Sequence, residues 1–216
     1  MTFQEFVNLV ESRNGHVIGE PVIWKAVNVS LNGERTVFEF DSNVKVDGVS
    51  ITDYGGDNRI SIGKGSKLNG MIKIGAKCTL VIGERFSSTA GLKLHLAEGK
   101  GIFIGNDCMF GIDVNIYNHD YHPIFFKSNG ERINYSRDVV IQDCVWLANK
   151  VTVLKGVTIH KGAIIGLGST VVNKIDSYCL AVGSPAKVVK EGIVWHKASL
   201  NTTHPYGINN ISELLK

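Results

Sequence analysis

No stretch of this chain approaches twenty consecutive apolar residues, which leaves no ordinary membrane-spanning helix to expect. The N-terminus has no basic segment leading into an apolar core, so no secretory signal is expected either. Charge of one sign is not in excess: 23 Lys+Arg against 20 Asp+Glu give a net +3, too mild to argue for nucleic acid. Cysteine is sparse, with four residues (Cys78, Cys108, Cys144, Cys179) that show no metal-like pair spacing. They read as buried, reduced thiols of a cytoplasmic protein. No glycine loop of nucleotide-binding type is present, which disfavours ATP or NAD. At 216 residues the expectation is one domain with short appendages.

What is present is a six-residue register. Ile141, Leu147, Val153, Ile159, Ile165 and Val171 share one phase without interruption. Two residues ahead of each stands a small or β-branched side chain: Val139, Val145, Val151, Val157, Ala163 and Ser169. The pattern recurs at Ile62, Leu68, Ile74, Leu80, Phe86, Leu92, Ile104, Phe110 and Ile116, broken only by Glu98. A chain that is 44% hydrophobic fills about seven of these sixteen positions by chance, and fifteen are filled. Such a fixed period marks a repeat architecture. Six matches neither a helix face nor simple strand alternation. It matches a chain that makes one short strand, turns a corner and repeats. Three such sides close a triangular coil of eighteen residues, each coil bonding to those above and below.

The rest of the chain divides around that register. Residues 2–13 predict a short helix, with Thr2 and Glu5 as a capping box and Phe3, Phe6, Val7, Leu9 and Val10 as its apolar stripe. Residues 1–35 form a helical cap and irregular lead-in, 36–185 the repeat domain, and 186–216 a C-terminal helix and tail. The helix is expected over 186–198, carrying Lys187, Lys190 and Lys197. Between Ile116 and Ile141 the register fails, because 25 residues separate them, one more than four repeats give. The segment between, about 117–138, is polar, aromatic and charged and reads as a loop leaving the coil. Loops on rigid scaffolds commonly carry function.

That loop opens Tyr117-Asn118-His119-Asp120-Tyr121-His122-Pro123. A neutral imidazole can take a proton near physiological pH. The hexapeptide repeat resembles that of left-handed parallel β-helix proteins, an all-β fold whose handedness comes with the resemblance. His122-Pro123, Arg132, Val145-Trp146-Leu147, Lys155-Gly156-Val157-Thr158-Ile159 and Gly183-Ser184-Pro185-Ala186-Lys187 together resemble hexapeptide-repeat O-acetyltransferases. The segments 118–124 and 129–134 look closer to capsular polysaccharide and polysialic acid O-acetyltransferases than to galactoside and maltose acetyltransferases.

The resemblance implies acetyl transfer from acetyl-CoA to a carbohydrate hydroxyl, with a bacterial cell-surface polysaccharide as the expected acceptor. A small acceptor (free sugar, nucleotide amino sugar, serine or antibiotic) is the alternative. It makes His122 the general base, and gives Trp146 the acceptor and pantetheine region. The backbone amides of Ala148 and Asn149 become oxyanion donors. Gly166, Leu167, Gly168 and Ser169 fall where pantetheine passes, and Lys174, Lys187 and Lys190 beside the coenzyme phosphates. Tyr121, Lys127, Arg132 and Tyr135 suit acceptor binding. A homotrimer is implied, since one coil stack makes half of such a site in this family. The partner that orients His122 is left open among Asp120, Asp113, Asn115, Glu131 or a carbonyl, and His119 reads as a surface histidine. No metal is expected, because His119 and His122 are too close for the His-x4-His pair of the zinc carbonic anhydrases that share the scaffold.

Overall fold

A computed structural model describes residues 1–197. Thr2 caps the first helix, Phe3–Ser12, as its sequence predicts: its hydroxyl accepts from Glu5 N and its N–H donates to the Glu5 carboxylate. Phe6 and Val10 face inward, and Phe6 packs on Trp24 at 4.7 Å and Phe38 at 4.9 Å. The helix thereby closes one end of a stack of parallel coils.

The stack is a left-handed parallel β-helix. Its first side is a seven-stranded sheet: His16–Ile18, Val37–Phe40, Arg59–Ile62, Thr79–Ile82, Gly101–Ile104, Val139–Ile141 and Thr158–Ile159, each parallel to the next. The second side runs through Ser87–Ala90, Met109–Ile112, Trp146–Leu147 and Ile164–Ile165. The third runs through Leu92–Leu96, Asn115–Tyr117, Thr152–Val153 and Thr170–Val171. Lower in the stack, Lys45–Asp53 and Lys67–Ile74 each turn the corner between the second and third sides within one strand, at Gly48 (φ 67°) and Gly70 (φ 132°). Stacking begins at His16, inside the stretch whose sequence looks irregular.

Inward residues occupy the interior in single file. Phe86, Phe110, Leu80, Ile102, Val139, Ile141, Leu147 and Val153 are all buried, and Phe86 meets Phe110 edge-on at 4.9 Å. Val139, Val145, Val151, Val157, Ala163 and Ser169 share that interior, as their spacing predicts. Cys78, Cys108 and Cys179 are buried free thiols, and burial pushes the Cys108 thiol up to about 12.

Two expectations need correction. Coils are 18 residues long only late in the stack, where Val140 pairs Thr158. Earlier, Val37 pairs Arg59 and Thr79 pairs Gly101, both 22 residues on, and Arg59 pairs Thr79, 20 on. The extra residues lie in the third side, where Leu92, Leu94 and Leu96 all face inward, and in the corner after it. The six-residue phase looks continuous there because early strands bury alternate residues, Leu80 with Ile82 for example. The second correction is at the C-terminus. Ala186–Lys190 is a strand, antiparallel to Leu180–Gly183, and no helix follows through residue 197. Gly183 pairs Ala186, so Ser184-Pro185 is a hairpin turn. The tail from 199 lies outside the described residues.

Buried polar side chains hold the third corners. The Asp53 carboxylate accepts from Thr36 Oγ1, Gly55 N, Gly56 N and Asn58 Nδ2 at 2.5–3.0 Å. Asn58 reaches up to Gly75 O (2.7 Å) and Cys78 N (2.7 Å), and Asn118 Oδ1 accepts from Ala97 N (2.9 Å). Such pegs satisfy backbone groups that a turning chain cannot give to a neighbouring strand.

Shortening Phe110 to alanine should cost about 3–5 kcal/mol, since its ring is fully buried and the rigid coils cannot close the gap. Urea unfolding of the variant against the parent checks this.

Candidate active site

The long loop is the third corner of one coil, greatly enlarged. The equivalent corners below it span 54–58, 75–78 and 97–100. Inside it the chain folds back on itself: Phe125 and Arg132 form an antiparallel bridge, Ile133 N donates to Ile124 O and Phe126 N to Glu131 O. Gly130, at φ 73°, turns the tip.

Glu98 and Lys155 clamp the loop to the prism, and Asn134 ties the loop to itself. Glu98, the one exception in the six-residue register, is an outward carboxylate at the corner below. It accepts from Arg132 Nη1 (2.5 Å), Ser136 N (2.9 Å) and Ser136 Oγ (2.6 Å). Arg132 first, then Ser136, hold its carboxyl down to about 2. Asn134, nearly buried, takes Ile124 N on its carbonyl (2.7 Å) and donates to Asp120 Oδ2 (2.9 Å) and His122 O (2.9 Å). Lys155, from the coil above, donates to the Asp120 carboxylate and to Asn134 O (3.0 Å). Burial alone raises the Asp120 carboxyl, but the hydrogen bonds from Lys155 and Asn134 outweigh it and hold the carboxyl below its ordinary value.

His122 therefore has a fixed backbone: its N–H donates to Asp120 O (2.7 Å) and its carbonyl is taken by Asn134. Its side chain is exposed, and among the described residues its imidazole has no hydrogen-bond partner. None of the four side chains considered as its orienter reaches it. Asp120 is held by Lys155 and Asn134, Glu131 by Asn129, and Asn115 donates to the Asp113 carbonyl. His119 is not a free surface group: its Nδ1 accepts from Tyr121 N (2.9 Å), and burial lowers its pKa.

The residues expected to bind acceptor divide. Lys127 and Tyr135 are exposed. Arg132 is not available, since Glu98 holds its guanidinium and Tyr135 lies beneath it at 4.8 Å. Tyr121, at φ 63°, turns back so that its hydroxyl meets His95 Nδ1 at 2.6 Å.

Ala148, Asn149 and Gly166–Ser169 share one edge of the prism, between the second and third sides in successive coils, with Trp146 on the adjoining outer face. Asn149 is well fixed. Its side chain accepts from Ile112 N (2.8 Å), its carbonyl accepts from Gly168 N (2.9 Å), and its own N–H carries no hydrogen bond among the described residues. Ala148 does not fit the oxyanion role, because its N–H already donates to Ile165 O (2.9 Å) in the ladder. Ser169 does not fit a coenzyme contact: it is fully buried and its hydroxyl accepts from Gly183 N (2.9 Å). A side chain at Gly166 would meet Val182 Cγ1 at 2.6 Å, so its bareness serves the next strand. Leu167, 71% exposed, and Gly168, with open space around it, face outward.

The three lysines do not form one cluster. Lys174 stands on the third corner and pairs with Asp176 (3.2 Å), while Lys187 and Lys190 are on the terminal hairpin. Trp146 packs on Trp195 at 5.8 Å, whose indole N–H donates to Cys144 O (2.7 Å). Sequence reasoning gave no site role to Glu98, Asn134, Lys155, His95 or Trp195. Glu98 carried a signal in its break in the register, and Asn134 and Lys155 lay inside segments that carry the resemblance.

A stack of coils with one enlarged, clamped corner and a second edge of closely approachable backbone has the organisation of a hexapeptide-repeat acyltransferase. No family model matches the sequence. Comparison with known proteins finds 37% identity over 165 residues with the polysialic acid O-acetyltransferase of Neisseria meningitidis, covering 75% of this chain and 73% of that protein. The polysialic acid O-acetyltransferase of Escherichia coli O1:K1 / APEC is 34% identical over 136 residues, 63% of this chain but 44% of that protein, so the match spans less than half the relative's length. The crystal structure of the polySia-specific acetyltransferase NeuO superposes with a TM-score of 0.84 at 31% identity, covering 91% of this chain and 88% of that one. That of the polysialic acid O-acetyltransferase OatWY gives 0.78 at 29%, covering 89% and 92%. The chain belongs to the hexapeptide-repeat O-acetyltransferase family. No helix among the described residues is long and apolar enough to cross a membrane.

The Glu98 clamp should fail in acid. Its folded carboxyl lies at about 2, below the ordinary 4.5, so its contribution is complete above 4.5 and is lost as the pH falls through 2. Pepsin nicking of the loop should rise over that interval in the parent and change far less in Glu98→Gln, which should be nicked by trypsin at Lys127 even at neutral pH. Equal nicking of both proteins at every pH would refute the clamp.

Proposed function

We propose that this protein transfers an acetyl group from acetyl-CoA to a hydroxyl of a cell-surface polysaccharide, with His122 as general base. The observation that carries the reading is the exposed, partner-free imidazole of His122 on a backbone fixed from both sides. A base needs a free ring nitrogen and little freedom to wander. His122 takes the proton of the acceptor hydroxyl as that oxygen attacks the acetyl carbonyl carbon. The C–S bond then breaks, and the imidazolium returns its proton to the departing thiolate. The Asn149 amide, held by bonds on its side chain and carbonyl, suits the developing oxyanion. Leu167 and Gly168 offer a flat edge to pantetheine, and Trp146 flanks it. Lys187 and Lys190, on the hairpin above, are the better placed of the three lysines for the coenzyme phosphates. The polysaccharide acceptor is supported by the relatives, both of which are polysialic acid O-acetyltransferases.

The same geometry supports a homotrimer. The loop bearing His122 leaves the edge between the third and first sides, while Asn149, Leu167 and Gly168 lie on the edge between the second and third. A base from one protomer and a thioester-binding edge from the next then make one site, three times over. Ile124, Phe125 and Phe126, exposed on the loop, suit burial against that neighbour.

Free-thiol release from acetyl-CoA, measured against neutral and sialic-acid-containing polysaccharides and against small acceptors, tests the reading. Polymer-dependent release is expected. Preference for a free sugar, serine or chloramphenicol would overturn the acceptor assignment. His122→Ala should stay folded and trimeric by sedimentation yet lose about 10²–10⁴-fold in turnover; retained turnover would remove His122 from its role.

A further inference from the structure

Beneath the loop, on the outer face of the third side, one column runs Thr52, Lys73, His95, Tyr117 in strand register, and a second runs Met71, Lys93, Asn115. Lys73, His95 and Lys93 alternate with the inward Ile72, Leu94 and Leu96, so all three side chains start from the outer surface. Lys73 and Lys93 are half-buried and have no ion-pair partner among the described residues. His95 is only 5% exposed, roofed by Tyr117 stacked at 4.6 Å and by the Tyr121 hydroxyl, and its Nε2 has no hydrogen-bond partner. Burial, then Lys73, pulls its pKa down to about 4, and the groups that bear on its ring, Lys73, His119 and Lys93, are all basic. Beside it opens a cavity of about 300 Å³ walled by Tyr54, Lys73, Gly75, His95, His119 and Tyr121.

Half-buried lysines without counter-charges, grouped beside an open cavity, favour an anionic ligand. We propose that this cavity is an acceptor subsite for a carboxylate-bearing sugar unit, adjacent to the unit whose hydroxyl His122 deprotonates. Lys73 takes the carboxylate, with Lys93 reinforcing the field from the next column. Tyr54, exposed at the rim, offers an aromatic face to the apolar side of the sugar ring. The His95 ring, packed between Tyr117 and Tyr121, forms the rigid floor on which the sugar rests. The volume is at the small end of ligand cavities, enough for one sugar unit and not for a folded chain of them. The linkage to the reaction is Tyr121, which walls the cavity and immediately precedes His122 in the sequence. The proposal rests on the carbohydrate acceptor of the preceding reading, and narrows it to an acidic one.

The test uses the full-length protein and a defined sialic acid oligomer, with the same oligomer carboxyl-reduced as its neutral counterpart. Binding is measured by calorimetry without acetyl-CoA, and KM and kcat by thiol release. Lys73→Ala should weaken binding and raise KM by about tenfold, with the smaller part of the effect on kcat. Lys93→Ala should do the same to a lesser degree, and Lys73→Arg should recover most of the loss. The carboxyl-reduced oligomer should bind the parent as weakly as the acidic one binds Lys73→Ala. Unchanged affinity in both alanine variants, or equal binding of the reduced oligomer, would overturn the subsite while leaving the acetyl transfer standing. Lys73-dependent binding with no transfer to any carbohydrate would keep the subsite and remove the reaction. Failure of the parent to bind the acidic oligomer would also overturn the subsite. Matching thermal melts of parent and variants exclude unfolding as the cause of any loss.

Discussion

Between the two ends of the stack each strand hydrogen-bonds to the coil above and the coil below, and the rest of the structure answers to that constraint. Because the ladder runs along the axis, a coil cannot shift without breaking bonds on both of its faces. The sides are thus rigid. The corners are different. A turning backbone cannot reach its neighbours with every N–H and C=O, so side chains must supply the missing partners. Asp53, Asn58 and Asn118 do this inside the third corners. The corner that grew into a long loop is fastened with the same kind of polar contact, through Glu98 and Lys155.

The sequence revealed the sides far better than the corners. An inward position accepts only apolar or small side chains, so Ile141, Leu147 and Val153 announced themselves by spacing alone, and the helix Phe3–Ser12 by its capping box. Coil length was hidden, because burial of alternate residues in the early strands preserves the look of a six-residue period in 22-residue coils. The terminal hairpin was misread as a helix for a related reason: five residues of mixed Val and Lys carry too little pattern, and the turn at Ser184-Pro185 also resembles the end of a repeat. Within the proposed site, His122 was singled out by its motif. The contacts of Asn134 and Lys155 were not legible, since a peg is defined by where its atoms point across 12 to 35 residues of chain and leaves no period behind.

On the proposed reading the two edges of the prism have separate duties: one carries the base and, below it, the acceptor cavity, and the other carries the ordered amide and the passage for pantetheine. That reading leaves each protomer half-equipped. It also means the loop can vary in length and composition to suit a new acceptor without disturbing the edge that serves the donor, which depends on the ladder alone.

The two ends of the stack matter for a different reason. A parallel ladder has no natural stopping point, and a bare terminal coil is a template on which another chain's first coil can pair. Here the helix Phe3–Ser12 lies across one end, and at the other the strand Ala186–Lys190 runs against the direction of all its predecessors. Reversed polarity denies a newcomer a parallel register on the second side. End-to-end growth of the kind that turns solenoids into fibres is opposed there by strand direction alone.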